Sequence, residues 1–206
     1  MKLMLIDVDD TLYPKGTGPF RVVSERINDY VMEWCRLGPA DTRVLRDGYV
    51  RKYGSTLGGL MEHYGVDPDH YLKKVHDVPV EDLLTHDERL RESLRSVQGE
   101  MVAFSNGSVH YVRRVLDALG VRDLFSDLFT IEFMDFIPKP RSYPYRKAME
   151  LYSRSPDDCI LVDDRLPNVR TAIELGMETI IVAADSPVEG ARMIPDIYSL
   201  PRTVYF

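Results

Sequence analysis

Apolar residues along the chain follow two spacings. Five short runs, 3–6, 101–104, 129–133, 159–162 and 179–183, are largely aliphatic or aromatic, the pattern of strands buried on both faces of a parallel sheet. Between most of them the spacing shifts to three and four. Val109, Val112, Val115, Leu116 and Leu119 mark one helical face that stops at Gly120, and a second helix over 167–175 opens with Pro167 and stops at Gly176. Strands alternating with helices of this length predict an α/β fold, a doubly wound parallel sheet of Rossmann type.

The stretch 16–97 breaks the alternation. Helical spacing recurs there at Val23, Ile27, Tyr30, Val31 and Trp34, and again at Leu45, Tyr49, Val50 and Tyr53. A third helix opens at Asp67-Pro68, and Gly38-Pro39, Gly54 and Gly65 punctuate the series. The expected organisation is a core of residues 1–15 and 98–206 with a helical cap inserted over 16–97. Tyr30, Trp34, Tyr49 and Tyr53 are expected to form the cap's own core, not a base-stacking platform. The tail after Asp185 is punctuated by prolines and carries no clear period.

Composition narrows the partners. With 206 residues, 44% hydrophobic and 29% charged, the chain is an ordinary globular protein in its make-up. A net charge of −7 argues against a nucleic-acid polymer or an anionic membrane as partner. A small phosphorylated metabolite stays compatible, because a local metal and lysine reverse the sign within a pocket. The two cysteines, Cys35 and Cys159, form no metal-spaced pair, which points to a reducing compartment. The run 3–6 is too short for a signal peptide or a membrane span, so a cytoplasmic location is expected.

Four of the five apolar runs lead into polar clusters: Asp7-Val8-Asp9-Asp10-Thr11, Ser105-Asn106-Gly107, Lys139-Pro140 and Asp163-Asp164. Ligands of open parallel sheets bind outside the carboxyl ends of the strands, so the four clusters should converge. Carboxylates crowded together repel, and a hard divalent cation with an oxygen shell, magnesium, is the simplest remedy. Asp7, Asp163 and Asp164 are its natural side-chain donors. Lys139 adds a fixed positive charge and Ser105 a hydroxyl, which together make a receptor for a phosphoryl group. The spacing Asp7-x-Asp9 supplies two acids on one side of the chain, one to attack phosphorus and one to move protons. Singly, each cluster has a plainer use: an acidic turn, a helix cap before Pro167, a surface lysine, or a capping serine. Their coincidence in order points to chemistry. The five histidines show no ligand spacing and receive no role.

The order of these motifs resembles the haloacid dehalogenase superfamily over essentially the whole chain. Asp7 to Pro14, Ser105-Asn106-Gly107 and Asp163-Asp164 with Asn168 are most similar to its pyrimidine 5′-nucleotidase-like branch, as are Tyr53-Gly54-Ser55-Thr56-Leu57-Gly58-Gly59-Leu60 and Val75-His76-Asp77. The resemblance implies that Asp7 is nucleophile and Asp9 acid/base. It implies phosphate binding by Ser105, Asn106 and Lys139, with magnesium held by Asp7, the backbone oxygen of Asp9, Asp163 and Asp164. Ser55 and Thr56 become substrate candidates, with a turn or helix cap as their alternative use. Because 98 positions separate Asp7 from Ser105 but only 34 separate Ser105 from Lys139, the cap belongs at the first insertion point, and residues 12–19 become its hinge and flap. The implied activity is hydrolysis of a nucleoside monophosphate through an aspartyl-phosphate on Asp7. A sugar phosphate or phosphoglycolate is the alternative substrate. Dehalogenation is disfavoured because that branch lacks the second aspartate. A phospho-accepting receiver domain would carry its acidic pair first and its Lys-Pro last, the reverse of the order here.

Overall fold

The computed structural model describes residues 1–202. Its centre is a six-stranded, wholly parallel sheet of β1 (Leu3–Ile6), β2 (Glu100–Phe104), β3 (Asp127–Phe129), β4 (Cys159–Asp163), β5 (Glu178–Val182) and β6 (Arg192–Ile194). The order is β3-β2-β1-β4-β5-β6, so the chain turns in both directions from β1. Ile6 pairs with Ala103 on one side and Val162 on the other, which sets the ends of three strands level.

The helices are α1 (Pro19–Cys35), α2 (Pro39–Tyr53), α3 (Thr56–Tyr64), α4 (Pro68–Val75), α5 (Val80–Leu83), α6 (Glu88–Arg95), α7 (Val109–Ala118), α8 (Ser142–Leu151) and α9 (Leu166–Glu174). Their starts follow local chemistry. Asp67, Asp87 and Ser108 cap α4, α6 and α7 by accepting from backbone N–H groups two residues inside each helix, and proline stands in the first turn of α1, α2, α4 and α9.

The strand period of two divides the core. Met4, Ile6 and Ala103 face a cluster with Leu90 and Leu94 of α6 and Val112 and Val115 of α7. Leu3, Leu5 and Phe104 face the opposite cluster with Tyr145 of α8 and Val169 of α9. Every residue of β1 is fully buried, as a central strand covered on both faces requires. Helices α1 to α4 pack on one another above the carboxyl end of the sheet. α5 and α6, also within 16–97, instead pack against α7 and the sheet; Arg114 of α7 pins the start of α5 through Glu81 and the Val78 carbonyl.

Several local expectations are revised. The third strand covers 127–129, not 129–133. Residues 131–136 coil into turns, with Met134 N–H donating to the Thr130 carbonyl and both Asp135 and Phe136 at positive φ. Apolar content alone could not separate an edge strand from the turn after it. α3, α5, α6, α8 and the edge strand β6 lie outside the elements expected from the sequence. Trp34 is 45% exposed, not in the cap core, and stacks flat on the buried Tyr30. Among the described residues no helix is long and apolar enough to cross a membrane, and both cysteines are free thiols.

The contact between α2 and α3 depends on a missing side chain. A Cβ on Gly59 would lie 2.1 Å from the ring of buried Tyr49. Gly59→Ala should therefore destabilise the fold by about 1–3 kcal/mol, the usual cost of overpacking, despite its better helix propensity. A thermal melt checks it; an unchanged or higher Tm would show that Tyr49 moves aside freely.

Candidate active site

Asp7 is the first residue beyond β1, held in line by its N–H donating to the Val162 carbonyl at 2.8 Å. Its carboxylate is engaged at both oxygens. Lys139 Nζ donates to Oδ1 at 2.7 Å and the Thr11 hydroxyl to Oδ2 at 3.0 Å. Lys139 is itself 1% exposed and also donates to Asp163 Oδ2 at 2.8 Å and to the Phe104 carbonyl at 2.6 Å. An ammonium has three hydrogens, and all three are spent on protein acceptors. Lys139 therefore offers an approaching anion charge, not a hydrogen bond. Burial works to lower its pKa, but the two carboxylates outweigh that and raise it.

Asp163 closes β4 and is held by three donors. Besides Lys139, it accepts from the Arg165 N–H at 2.9 Å and from Asn168 Nδ2, which lies 2.9 Å from each carboxylate oxygen. Asn168 thus braces the acidic pair from α9. Asp164 keeps the freer carboxylate, met only by Lys15 at 3.5 Å from the mouth of the cavity. One oxygen each from Asp7, Asp163 and Asp164 lie within 4.8 Å of one another.

That trio tests whether a metal belongs here. One fully committed ammonium stands among three carboxylates. Burial pushes Asp7 well above the ordinary carboxylate range, to about 8, with Lys139 opposing and Asp163 and Asp164 adding to the rise. Burial, then Asp163, also lifts Asp164 to about 6. Lys139 by itself does not offset the burial that raises Asp7 and Asp164. A hard divalent cation with oxygen ligands does, so the donor set fits magnesium.

Asp9 lies on the other side of the turn. Asp10 at φ 59°, a conformation aspartate tolerates, and the Leu12 N–H to Val8 carbonyl bond at 3.0 Å shape that turn. Two phenols donate to one Asp9 oxygen: Tyr13 at 2.5 Å and Tyr111 at 2.7 Å, both to Oδ1. Burial raises Asp9 to about 6, opposed by those two donors.

The remaining expected residues fall into place unevenly. Ser105, buried after β2, accepts the Gly107 N–H at 3.0 Å, which leaves its own O–H to donate. The Asn106 side chain is spent on the Lys139 backbone, donating to its carbonyl at 3.0 Å and accepting its N–H at 2.9 Å. It holds the lysine loop against β2, and Asn106 still lines the cavity. Ser55 caps α3 by accepting the Gly58 N–H at 3.0 Å. Ser55, Thr56, Ser105, Asn106, Asp7, Asp9 and Asp164 all line one cavity of about 360 Å³, with Asp163 fully buried behind them. Its roof comes from α1 to α4 and is mostly aliphatic, with Arg46 as a cation that has no ion-pair partner among the described residues. Its volume is that of a small-molecule site.

Sequence reasoning passed over Thr11, Tyr13, Lys15, Arg46, His76 and Tyr111. Tyr13 carried a signal, four residues past Asp9 in the same turn. Tyr111 carried none, because only the fold brings it to the site, and His76 stood in the Val75-His76-Asp77 resemblance without a role. His76 follows α4, stacks on Tyr111 with centroids 4.5 Å apart and planes 9° apart, and is hydrogen-bonded through Nδ1 to Ser108 Oγ at 2.9 Å.

With this geometry established, relatives locate the chain. The family model for haloacid dehalogenase-like hydrolases matches residues 1–176, and the chain belongs to that family of hydrolases. A curated relative, Phosphate metabolism protein 8 of Saccharomyces cerevisiae, is 25% identical over 196 residues; the match covers 87% of this chain and 61% of that protein. Among solved structures, CbbY from Rhodobacter sphaeroides in complex with phosphate superimposes with TM-score 0.65 at 16% identity, covering 97% of this chain and 96% of that one. The HAD-hydrolase YfnB of Bacillus subtilis, bound to magnesium, gives 0.61 at 16%, covering 98% and 97%. At such identities the two structures share the fold.

Burial lowers the His76 pKa to about 4. The unfolded chain then binds a proton below about 6.5 that the folded chain refuses until about 4. His76 should therefore cost the fold stability as pH falls through that window, and nothing above it. His76→Phe keeps a ring against Tyr111 and should flatten the fall of the urea midpoint between pH 7 and 4.5. Parallel curves for the two proteins would show that His76 titrates normally.

Proposed function

We propose that the protein is a magnesium-dependent phosphomonoester hydrolase that works through an aspartyl-phosphate on Asp7. The observation that carries this reading is one cavity holding two carboxylates in opposite settings. Asp7 is fixed against Lys139 beside Asp163 and Asp164; Asp9 is apart from that cluster, with Oδ2 unbonded. Asp7 attacks phosphorus, and the bond from phosphorus to the leaving oxygen breaks as Asp9 passes that oxygen its proton. Asp9 then takes a proton from water. That water attacks phosphorus, and the bond to Asp7 breaks to release phosphate. Ser105 donates to a phosphoryl oxygen, and the Lys139 charge offsets the negative charge gathered there. Magnesium, held by Asp7, the Asp9 backbone oxygen, Asp163 and Asp164, supplies neutralising charge when bound.

The leaving group is a nucleoside, pyrimidine preferred. The branch resemblance of residues 7–14 and 53–60 and an aliphatic roof wide enough for a small organic group support it. Helices α1 to α4 are then the cap that closes over substrate and excludes water, while α5 and α6 stay with the sheet. One observation favours the sugar phosphate or phosphoglycolate alternative. Arg46, a cation in the roof without a carboxylate partner, suits a leaving group bearing a second anionic group.

A panel of phosphomonoesters run with magnesium and with chelator should show phosphate release from nucleoside monophosphates that stops when the metal is removed. Silence across the panel with metal-loaded protein would overturn the hydrolase chemistry. Far faster turnover of a sugar phosphate or phosphoglycolate would overturn only the nucleotide assignment. Asp7→Asn should abolish turnover with the fold intact. Asp9→Asn should slow it by about 10²–10⁴-fold, the usual scale for losing an acid/base. Normal rates in either variant would remove the assigned role.

A further inference from the structure

Accepting the phosphatase reading above, we infer that Tyr13 and Tyr111 are the positioning residues of Asp9. They grip Oδ1 together and leave Oδ2 as the single oxygen through which protons pass. The two phenols come from different parts of the fold. Tyr13 lies in the loop leading to α1, and Tyr111 in the first turns of α7. Both rings are buried, at 4% and 0% exposure, so neither hydroxyl competes with bulk water for its partner. Their donation to one atom, at 2.5 and 2.7 Å, leaves Oδ2 with no hydrogen bond among the described residues, and Asp9 lines the cavity.

A carboxylate on two single bonds rotates freely unless something holds it. Asp9 must serve twice, first giving a proton to the leaving oxygen and then taking one from water. Both transfers need the same oxygen at hydrogen-bond distance from different partners. Two donors on Oδ1 fix the carboxylate plane about the Cβ–Cγ bond and hold it through both steps. Neither phenol has to lose its own proton, because burial and the adjacent Asp9 charge push both hydroxyls far above the ordinary tyrosine range.

Each phenol is braced in turn. A Cβ on Gly18 would lie 2.3 Å from the Tyr13 ring, so the backbone at the start of α1 presses directly on that ring. The Tyr111 ring lies against His76, whose imidazole is hydrogen-bonded to Ser108, the cap of the helix carrying Tyr111. His76 directly follows α4. The roof of the cavity thus bears on the proton-transfer group at both ends of its helical stretch, through the entry to α1 and the exit from α4.

The test is a double-mutant cycle on steady-state hydrolysis of a substrate from the panel, with wild-type turnover measured first. Tyr111→Phe and Tyr13→Phe each keep the ring and remove one hydroxyl. Each should lower kcat about 10- to 100-fold, the scale of one hydrogen bond to a charged group, with KM nearly unchanged. In an Asp9→Asn background the same substitutions should cost less than about 2-fold, because the group they position no longer transfers protons. Losses of equal size in both backgrounds, or a rise in KM without a fall in kcat, would overturn the inference and make the tyrosines merely structural. If Tyr111→Phe proves unfolded by its melt, the Tyr13→Phe arm decides alone. No turnover by wild type would defeat the phosphatase reading itself, an outcome distinct from all of these.

Discussion

At the head of the sheet, the Lys139 ammonium is sealed among the Asp7 and Asp163 carboxylates and the Phe104 carbonyl, each within 2.8 Å. A lysine so deeply buried persists only when every hydrogen finds an acceptor and opposite charge lies close. Three strand ends must therefore meet at one point, which the pairing of β1 with both β2 and β4 provides. The lysine loop must also be held down on β2, and the Asn106 amide does this by bonding both backbone groups of Lys139. Removing the lysine would leave two carboxylates facing each other without compensation, so sheet register and site geometry stand or fall together.

That arrangement is unbalanced by design of the chain. Lys139 neutralises one acid, Lys15 touches Asp164 from the rim, and burial still lifts Asp7 and Asp164 above their ordinary range. A cluster with that excess of negative charge fits a hard cation with oxygen ligands, and the chain as a whole carries −7. Asp9 stays outside the cluster because its oxygen is claimed by phenols. Asp7 beside the lysine and two further carboxylates, and Asp9 beside two phenols, place residues two apart in different electrostatic settings.

Much of this was legible beforehand for a simple reason. Buried parallel strands are short apolar runs, and in this topology their ends are where polar residues gather, so Asp7, Ser105, Lys139 and Asp163 announced themselves by position. Legibility failed where local pattern and tertiary setting part. Residues 131–133 have strand composition but form a turn, since only Asp127–Phe129 finds partners in β2. Trp34 keeps helical spacing with Tyr30 yet remains 45% exposed, because a face of α1 is covered only where another helix crosses it. Asn106 sat in a phosphate-binding motif, and its side chain was taken by a backbone 33 residues away.

The sequence by itself determined the kind of chemistry: the sheet, the order of its acids, and the helical insertion after the first strand. These depend on residue type and near-neighbour spacing, which a linear pattern records. The tertiary structure alone decided how those groups are held. It gave all three lysine hydrogens to protein atoms, put two phenols on Asp9, laid His76 against Tyr111, and left Arg46 in the roof with no ion-pair partner among the described residues. Each of these joins residues tens of positions apart, or settles which of several donors is already engaged. Both depend on close packing in three dimensions, which no local spacing encodes.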